Sequence, residues 1–171
     1  SVSPERWELI DGEAVMMTPP TKVHDRVADN LARALNNYFE EHRPDLHAYQ
    51  RSGLIVPDAD RFRPEADVSV EDSIADYESY TDTFYLAAEV LSDSNPAKQI
   101  AIKRRHYMAH PDNLYCLIIA QKKVSVELRA RETGWKRTML ASLDDTLELP
   151  AFGFSVRLAA LYAGTPLAAK A

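Results

Sequence analysis

Two short and almost wholly apolar runs constrain the fold of this chain more than any other feature. They are residues 84–91, FYLAAEVL, and residues 113–120, NLYCLIIA. A near-continuous apolar sequence is typical of a strand inside a sheet, because both faces of such a strand are covered. Each run is therefore predicted to be a buried strand, and the second is expected near the centre of the sheet.

A helix is predicted between these two strands. Ser94 or Asn95 can cap it, with Pro96 at its first position, where the missing N–H costs nothing. The helix is predicted to run to about Ala109, before Pro111. Strands and helices in this order predict an α/β fold with a mixed sheet.

The N-terminal part of the chain predicts a hairpin followed by a long helix. Strands at about 6–10 and 13–17 flank Asp11-Gly12, a dipeptide typical of tight hairpin turns. Apolar residues at helical spacing predict a helix over 22–42, with Thr21 as its N-cap. The other expected elements are strands at 48–57, 66–70, 123–130, 135–141 and 146–150, a turn at 58–62, a loop at 71–82 and a short helix around 156–163.

The composition fits a single domain over residues 1–171. The chain is 46% apolar and 27% charged, which is ordinary for a globular domain and unlike a disordered chain. Its formal net charge of −6 argues against a protein whose whole surface attracts polyanions. A local basic patch is compatible with this charge. The single cysteine, Cys116, lies in an apolar strand and predicts a buried thiol in a reducing compartment. Because no run of about 18 apolar residues occurs, we expect a cytoplasmic protein with no membrane partner.

Glu89 is the one charged residue in the first apolar run. Burial of a carboxylate is costly unless a partner compensates its charge. Strand alternation predicts two faces, one with Tyr85, Ala87, Glu89 and Leu91 and the other with Phe84, Leu86, Ala88 and Val90. The small Ala87 leaves room beside the carboxylate of Glu89.

A second carboxylate is expected next to Glu89. Asp67 begins the preceding predicted strand, and Glu65 lies two residues before it on the same face. Two carboxylates on adjacent strands either raise their own pKa values or capture a cation. Oxygen ligands of this kind suit Mg²⁺ or Mn²⁺. The alternative for Glu89 is a strand-end carboxylate that pairs with an Arg or Lys from the neighbouring helix. The alternative for Asp67 is an ordinary aspartate after a Pro-containing turn.

Lys103 supplies an amine beside the predicted inner face of the second helix, which is made of Ala97, Ile100, Ala101, Arg104 and Tyr107 or Met108. It lies three and four residues from Ile100 and Tyr107, both of which are expected to face the sheet. A lysine beside paired carboxylates can hold a phosphate or orient an attacking water. The alternative is that the run KRR, residues 103–105, extends into solvent.

Together, several motifs in a fixed order resemble one known family. They are WELIDGEAVMMTPP, a histidine at the start of the long helix (His24), RPEADVSV, EVLS, KRRHY and LYCLIIA. This set resembles the Uma-two family of restriction endonuclease-like proteins, within the PD-(D/E)XK nuclease superfamily. The resemblance extends from about residue 6 to residue 166. It implies a restriction endonuclease-like core in which a long N-terminal helix and a second helix after the catalytic strand flank a mixed sheet.

The resemblance also implies roles for individual residues. Asp67, Glu89 and Lys103 would be catalytic, and Asp67 and Glu89 would bind the metal together with the backbone carbonyl of Val90. His24 would project near the end of the sheet as an accessory residue, unless it is a capping or core histidine.

The sequence departs from the family pattern at three positions. Asp67 stands three residues after Pro64 instead of next to it, which leaves Glu65 as a rival ligand. Leu91 occupies the usual place of the superfamily lysine. Gln99 stands where family members tend to carry an aspartate one turn before the lysine.

Glu13, on the second strand of the hairpin, is a further accessory candidate.

The expected function is metal-dependent hydrolysis of phosphodiester bonds in nucleic acid, with DNA as the substrate and Mg²⁺ or Mn²⁺ as the cofactor. Basic residues expected to contact the nucleic-acid backbone are Arg61, Arg63, Lys98, Arg104 and Arg105. A homodimer, formed through apolar residues of the closing strands, would place two sites on two DNA strands. One alternative is a catalytically inactive nuclease fold that serves as a binding or assembly module. Another is a hydrolase that uses His24 and Glu89 on a different phosphate ester, although the sequence has no nucleophile motif for it.

Overall fold

A seven-stranded mixed sheet forms the centre of the computed structural model, which describes residues 5–92 and 95–169. The strands are β1 (Trp7–Ile10), β2 (Glu13–Met16), β3 (Leu46–Leu54), β4 (Glu65–Asp72), β5 (Tyr80–Thr81), β6 (Leu86–Val90), β7 (Tyr115–Ile119), β8 (Val126–Ala130), β9 (Arg137–Leu140), β10 (Thr146–Leu149) and β11 (Phe154–Arg157). The helices are α1 (Lys22–His42), α2 (Ala97–Ala109), α3 (Leu158–Leu161) and α4 (Pro166–Ala169).

The order of strands in the main sheet is β5-β3-β4-β6-β7-β8-β9. The two apolar runs form β6 and β7, which are parallel neighbours joined through α2. β4 lies antiparallel on the other side of β6. The predicted mixed α/β sheet is therefore confirmed, and β6, which carries Glu89, lies in its interior.

The two faces of the sheet are covered by different elements. α1 buries one apolar face, which includes Val27, Leu31, Leu35 and Phe39, against the sheet. The other face is covered by α2 and the β1–β2 hairpin, whose buried residues include Ile10, Ile100 and Tyr107. Burial on both faces explains the near-continuous apolar sequence of β6 and β7.

The starts of the two long helices differ in how well they were predicted. The Thr21 side chain accepts a hydrogen bond from the His24 N–H at 3.0 Å, which confirms the predicted N-cap of α1. The prediction for α2 was wrong by one residue, because Pro96 occupies the cap position instead of the first helical position. The Asn95 side chain accepts hydrogen bonds from Ser92 instead of capping the helix. The other predicted cap, Ser94, lies outside the described residues.

The predicted alternation holds from Leu86 to Leu91, and the two residues before β6, Phe84 and Tyr85, depart from it. Leu86, Ala88 and Val90 pack on the α1 side, and Ala87 packs on the α2 side. Phe84 precedes the strand and packs on the α2 side, opposite to the prediction.

The closing part of the chain also differs from prediction. β10 pairs with β11 in a separate two-stranded sheet, and β11 occupies residues assigned in part to the predicted helix at 156–163. The helix that forms there, α3, has only four residues. None of the helices in the described part of the chain is both long and apolar enough to cross a membrane.

Candidate active site

Asp67 and Glu89 come from adjacent antiparallel strands. The register pairs Val68 with Ala88, and its continuation by one residue places Asp67 opposite Glu89. Directly opposed residues of an antiparallel pair share a face of the sheet. Asp67 Oδ2 accepts a hydrogen bond from the Val90 N–H at 2.7 Å and lies 3.2 Å from His24 Nε2. The start of α1, the start of β4 and the end of β6 therefore meet at Asp67.

A buried hydrogen-bonded network surrounds Glu89. Its Oε1 atom accepts from the Tyr107 hydroxyl at 2.6 Å and from Lys103 Nζ at 3.2 Å. Lys103 Nζ also donates to Glu8 Oε1 at 2.8 Å. Glu8 in turn accepts the N–H of Glu65 at 2.9 Å. Lys103 is 4% exposed, which excludes the alternative that it extends into solvent.

The site shifts the pKa values of its groups in different directions. Burial raises the pKa of Glu89 well above its ordinary value, and the negative charges of Asp67 and Glu8 add to this effect against the opposing charge of Lys103. Burial acts the same way on Asp67, but the His24 imidazole and the Val90 N–H outweigh it, so the pKa of Asp67 is lowered. For His24, burial is outweighed by Asp67 and Asp25, and its pKa is raised.

The site holds more acidic than basic side chains. Three largely buried carboxylates, those of Glu8, Asp67 and Glu89, face Lys103 and His24. Each carboxylate of the central pair uses one oxygen in the contacts above. Among the described residues, the other oxygens, Asp67 Oδ1 and Glu89 Oε2, have no hydrogen-bond partner. Two such oxygens, in a site with three carboxyl groups and two basic side chains, match the ligands that hard divalent cations prefer.

The described residues contain no group of three or more His, Cys, Asp or Glu side chains that could hold a metal ion. A cation between Asp67 and Glu89 would therefore rely on two carboxylates, with backbone carbonyls and water as its remaining ligands. Mg²⁺ commonly keeps several waters in such a site.

The accessory candidates Glu65, Glu13 and Gln99 lie outside this carboxylate pair. The Glu65 side chain forms an ion pair with Arg6. Glu13 is exposed on β2, and Gln99 is half-buried in the first turn of α2. Of the accessory candidates, only His24 contacts either carboxylate directly.

The five residues predicted to contact the nucleic-acid backbone differ in whether their side chains already have a partner. Arg104 forms an ion pair with Glu127 at 2.8 Å, and Arg105 forms one with Asp11 at 2.7 Å. Arg63 donates to the backbone carbonyls of Ala59 and Phe62. Arg61 and Lys98 are exposed, with no ion-pair partner among the described residues.

Sequence reasoning missed Glu8 as a site residue, and it recognised Tyr107 only as a core residue. The alternation of β1 does carry a signal for Glu8, because Glu8 and Ile10 are both buried on one side of the strand. The partner of Glu8 lies 95 residues away on α2. A single sequence gives no indication of that contact.

Comparisons with known proteins agree on a nuclease-like fold. The family model Uma2, described as "Putative restriction endonuclease", matches residues 2–160. A solved structure from Anabaena variabilis ATCC 29413, titled as a putative nuclease belonging to DUF820, superposes with a TM-score of 0.79. It shares 14% identity, and the match covers 94% of this chain and 93% of that one. No curated protein matches the chain.

Proposed function

We propose, from the premise that this chain belongs to the Uma2 family of restriction endonuclease-like proteins, that it is a metal-dependent endonuclease that hydrolyses DNA. Asp67 and Glu89 would hold Mg²⁺ or Mn²⁺, with the Val90 carbonyl as a further ligand. When bound, such an ion lowers the pKa of water and neutralises charge that develops on a phosphate.

One observation carries this proposal. Asp67 Oδ1 and Glu89 Oε2 lack hydrogen-bond partners among the described residues. The other oxygen of each carboxylate is fixed: Asp67 Oδ2 contacts His24 and Val90. Glu89 Oε1 contacts Lys103 and Tyr107. The fixed oxygens orient the two carboxylates before any ligand arrives, so little conformational freedom is lost on binding.

The residues around the carboxylates have separate tasks in this proposal. Lys103 is held by Glu8 and Glu89, and its ammonium would stabilise negative charge on the scissile phosphate. Tyr107, one turn further along α2, orients Glu89, and His24 orients Asp67. In the reaction, water adds to phosphorus and one bond from phosphorus to a sugar oxygen breaks.

The proposal is tested with supercoiled plasmid DNA and purified protein. We expect nicking or cutting that requires Mg²⁺ or Mn²⁺ and stops with a chelator. Asp67→Ala and Glu89→Ala should abolish cleavage, whereas Glu148→Ala, at an exposed carboxylate on β10, should cleave like the wild type. Equal cleavage by all four proteins would overturn the assignment.

The second candidate function is a catalytically inactive binding module. Gln99 favours it, because a carboxylate that would help to orient Lys103 is missing, and so does the double ion pair that already engages Lys103. Titration calorimetry separates the two candidates. Uptake of Mn²⁺ that is lost in Asp67→Ala supports the nuclease, whereas no uptake at about millimolar concentrations supports the inactive module.

We also propose that the active form is a homodimer. β9 is an edge strand of the main sheet and carries Met139, whose side chain is 48% exposed. An exposed edge with an apolar side chain is suited to pairing with a second copy. Light scattering after size exclusion should give twice the chain mass, and Met139→Lys should give the monomer mass.

A further inference from the structure

The lysines of this acidic chain are distributed unevenly around the candidate site. The sequence has seven lysines within a net charge of −6. Lys103 lies in the site, and four others lie at the end of the sheet where Asp67 and Glu89 meet, namely Lys22, Lys98, Lys122 and Lys123. Lys136 lies at the opposite end, just before β9, and Lys170 lies outside the described residues.

Hydrogen bonds tie two of the lysine-bearing segments to each other and to the end of β6. The Thr21 hydroxyl donates to Gln121 Oε1 at 2.5 Å, so the start of α1 contacts the turn that follows β7. Gln121 Nε2 donates to the Leu91 carbonyl at 2.6 Å, directly after Val90. These contacts place the backbone around Lys22 and Lys123 beside the strand that carries Glu89.

The other links lead directly to the two carboxylates. Lys22 is two residues before His24, whose Nε2 atom lies 3.2 Å from Asp67. Lys98 is the second residue of α2, the helix that follows β6 and supplies Lys103. Three segments, from α1, α2 and the β7–β8 turn, therefore each present a lysine around one end of the sheet.

These lysines remain available for a ligand. Lys22, Lys98 and Lys123 are exposed and have no ion-pair partner among residues 5–92 and 95–169. Lys122 already has an interaction and is left out of the inference. The nearby Asp25 carboxylate is neutralised by Arg51 at 3.0 Å. By contrast, Arg104 and Arg105 are committed to ion pairs with Glu127 and Asp11.

We infer that Lys22, Lys98 and Lys123 form a lysine rim that holds the phosphates of the DNA strand on either side of the scissile bond. The inference rests on the proposed function and names the surface by which the same site takes its substrate. The starts of α1 and α2 lie at this same end, because His24 in the first turn of α1 contacts Asp67 and α2 follows β6, and each helix start adds partial positive charge. Lysine is a point charge on a flexible stem, so the rim binds phosphate without reading bases.

The inference predicts a particular salt dependence. In duplex DNA, each neutralised phosphate contributes about 0.9 to the slope of log affinity against log salt concentration. The variant Lys22→Gln/Lys98→Gln/Lys123→Gln should therefore bind more weakly, by about tenfold or more at moderate salt, and its slope should be lower by about 0.9 for each phosphate that the rim no longer neutralises. Lys136→Gln, at the opposite end of the sheet, is the matched control and should keep the wild-type affinity and slope.

The test uses a fluorescein-labelled DNA duplex and anisotropy titrations at several salt concentrations. Ca²⁺ replaces Mg²⁺, and a gel checks that the duplex stays intact. A lower affinity and a lower salt slope in the triple variant, with both unchanged in Lys136→Gln, support the rim. Unchanged binding by the triple variant, in a protein that cleaves plasmid DNA with Mg²⁺, overturns the rim but not the nuclease. A wild-type protein that takes up no Mn²⁺ and binds no duplex overturns both.

Discussion

The N–H of Val90 donates a 2.7 Å hydrogen bond to the carboxylate of Asp67. This bond joins the start of β4 to the end of β6, the strand that carries Glu89. The position of one candidate ligand therefore depends on the backbone beside the other. The same Asp67 oxygen lies 3.2 Å from His24, so the bond also connects the sheet to the first turn of α1.

Replacement of Asp67 should separate its structural role from its chemical role. Asp67→Ala leaves the Val90 N–H and the buried His24 without their acceptor, and we expect a loss of about 1–3 kcal/mol in the free energy of unfolding. Asp67→Asn keeps an acceptor oxygen and should lose less. Urea unfolding measures both values. Equal losses in the two variants would show that the hydrogen bond contributes nothing.

Glu89 should make stability depend on pH. Because the folded-state pKa of Glu89 is raised above its ordinary value of 4.5, the folded protein binds more protons than the unfolded chain between these two pKa values. Stability should therefore fall as pH rises from about 4.5 through the folded-state pKa. The glutamine in Glu89→Gln cannot ionise, so this variant should become more stable relative to the wild type as pH rises.

Urea unfolding from about pH 5 to pH 8 in the presence of a chelator measures this effect. Glu148→Gln is the matched control, since Glu148 is exposed on β10. It should follow the wild-type curve. Parallel curves for Glu89→Gln and the wild type would contradict the raised pKa.

The effects of replacing Lys103 and Glu8 on the free energy of unfolding should be strongly non-additive, because the two side chains form a buried ion pair. Lys103→Met leaves two buried carboxylates facing each other without a cation, and we expect a loss of about 3–5 kcal/mol. In the double variant Lys103→Met/Glu8→Gln the total loss should be smaller than the sum of the single losses. A double-mutant cycle from urea unfolding gives the coupling. Arg157→Met breaks an exposed pair with Asp144 and should cost less than about 1 kcal/mol.

The sequence predicted the elements whose patterns are long. α1 spans Lys22–His42, as predicted, because its apolar face repeats over several turns and Thr21 caps its start. β11 was missed because its four residues are too few for alternation to distinguish a strand from the predicted helix. Pairing with β10 decides its conformation, and that contact is tertiary.

The candidate site divides in a similar way. Asp67 and Glu89 were predicted from strand alternation together with the family resemblance, and the register, continued by one residue beyond Val68–Ala88, places them opposite each other. Glu8 was not predicted, because its importance arises from Lys103, which approaches it from a distant helix. The ion pair of Arg104 with Glu127 depends likewise on how α2 packs against the sheet. Such contacts follow from the packing of elements and leave no local pattern.

The thiol of Cys116 should be unreactive toward thiol reagents in the folded protein. Its side chain is fully buried in β7, and burial raises the pKa of its thiol to about 12. The thiolate is the reactive form. We expect no reaction with a disulfide reagent at about pH 8 in native buffer and complete reaction in concentrated guanidinium chloride. Stoichiometric labelling of the folded protein would contradict this burial.

Gly53 should be required because Tyr80 lies against it. A Cβ atom at Gly53 would come within 2.5 Å of the Tyr80 ring, and the two residues are partners in the parallel β3–β5 pair. Gly53→Ala should therefore displace Tyr80 at a cost of about 1–3 kcal/mol. Hydrogen exchange should quicken at the N–H of Ile55, which donates to Thr81 in β5 at 2.8 Å. In a Tyr80→Ala background the clash is absent, so Gly53→Ala should cost much less. An equal cost in both backgrounds would attribute the effect to the backbone of Gly53 instead of the ring.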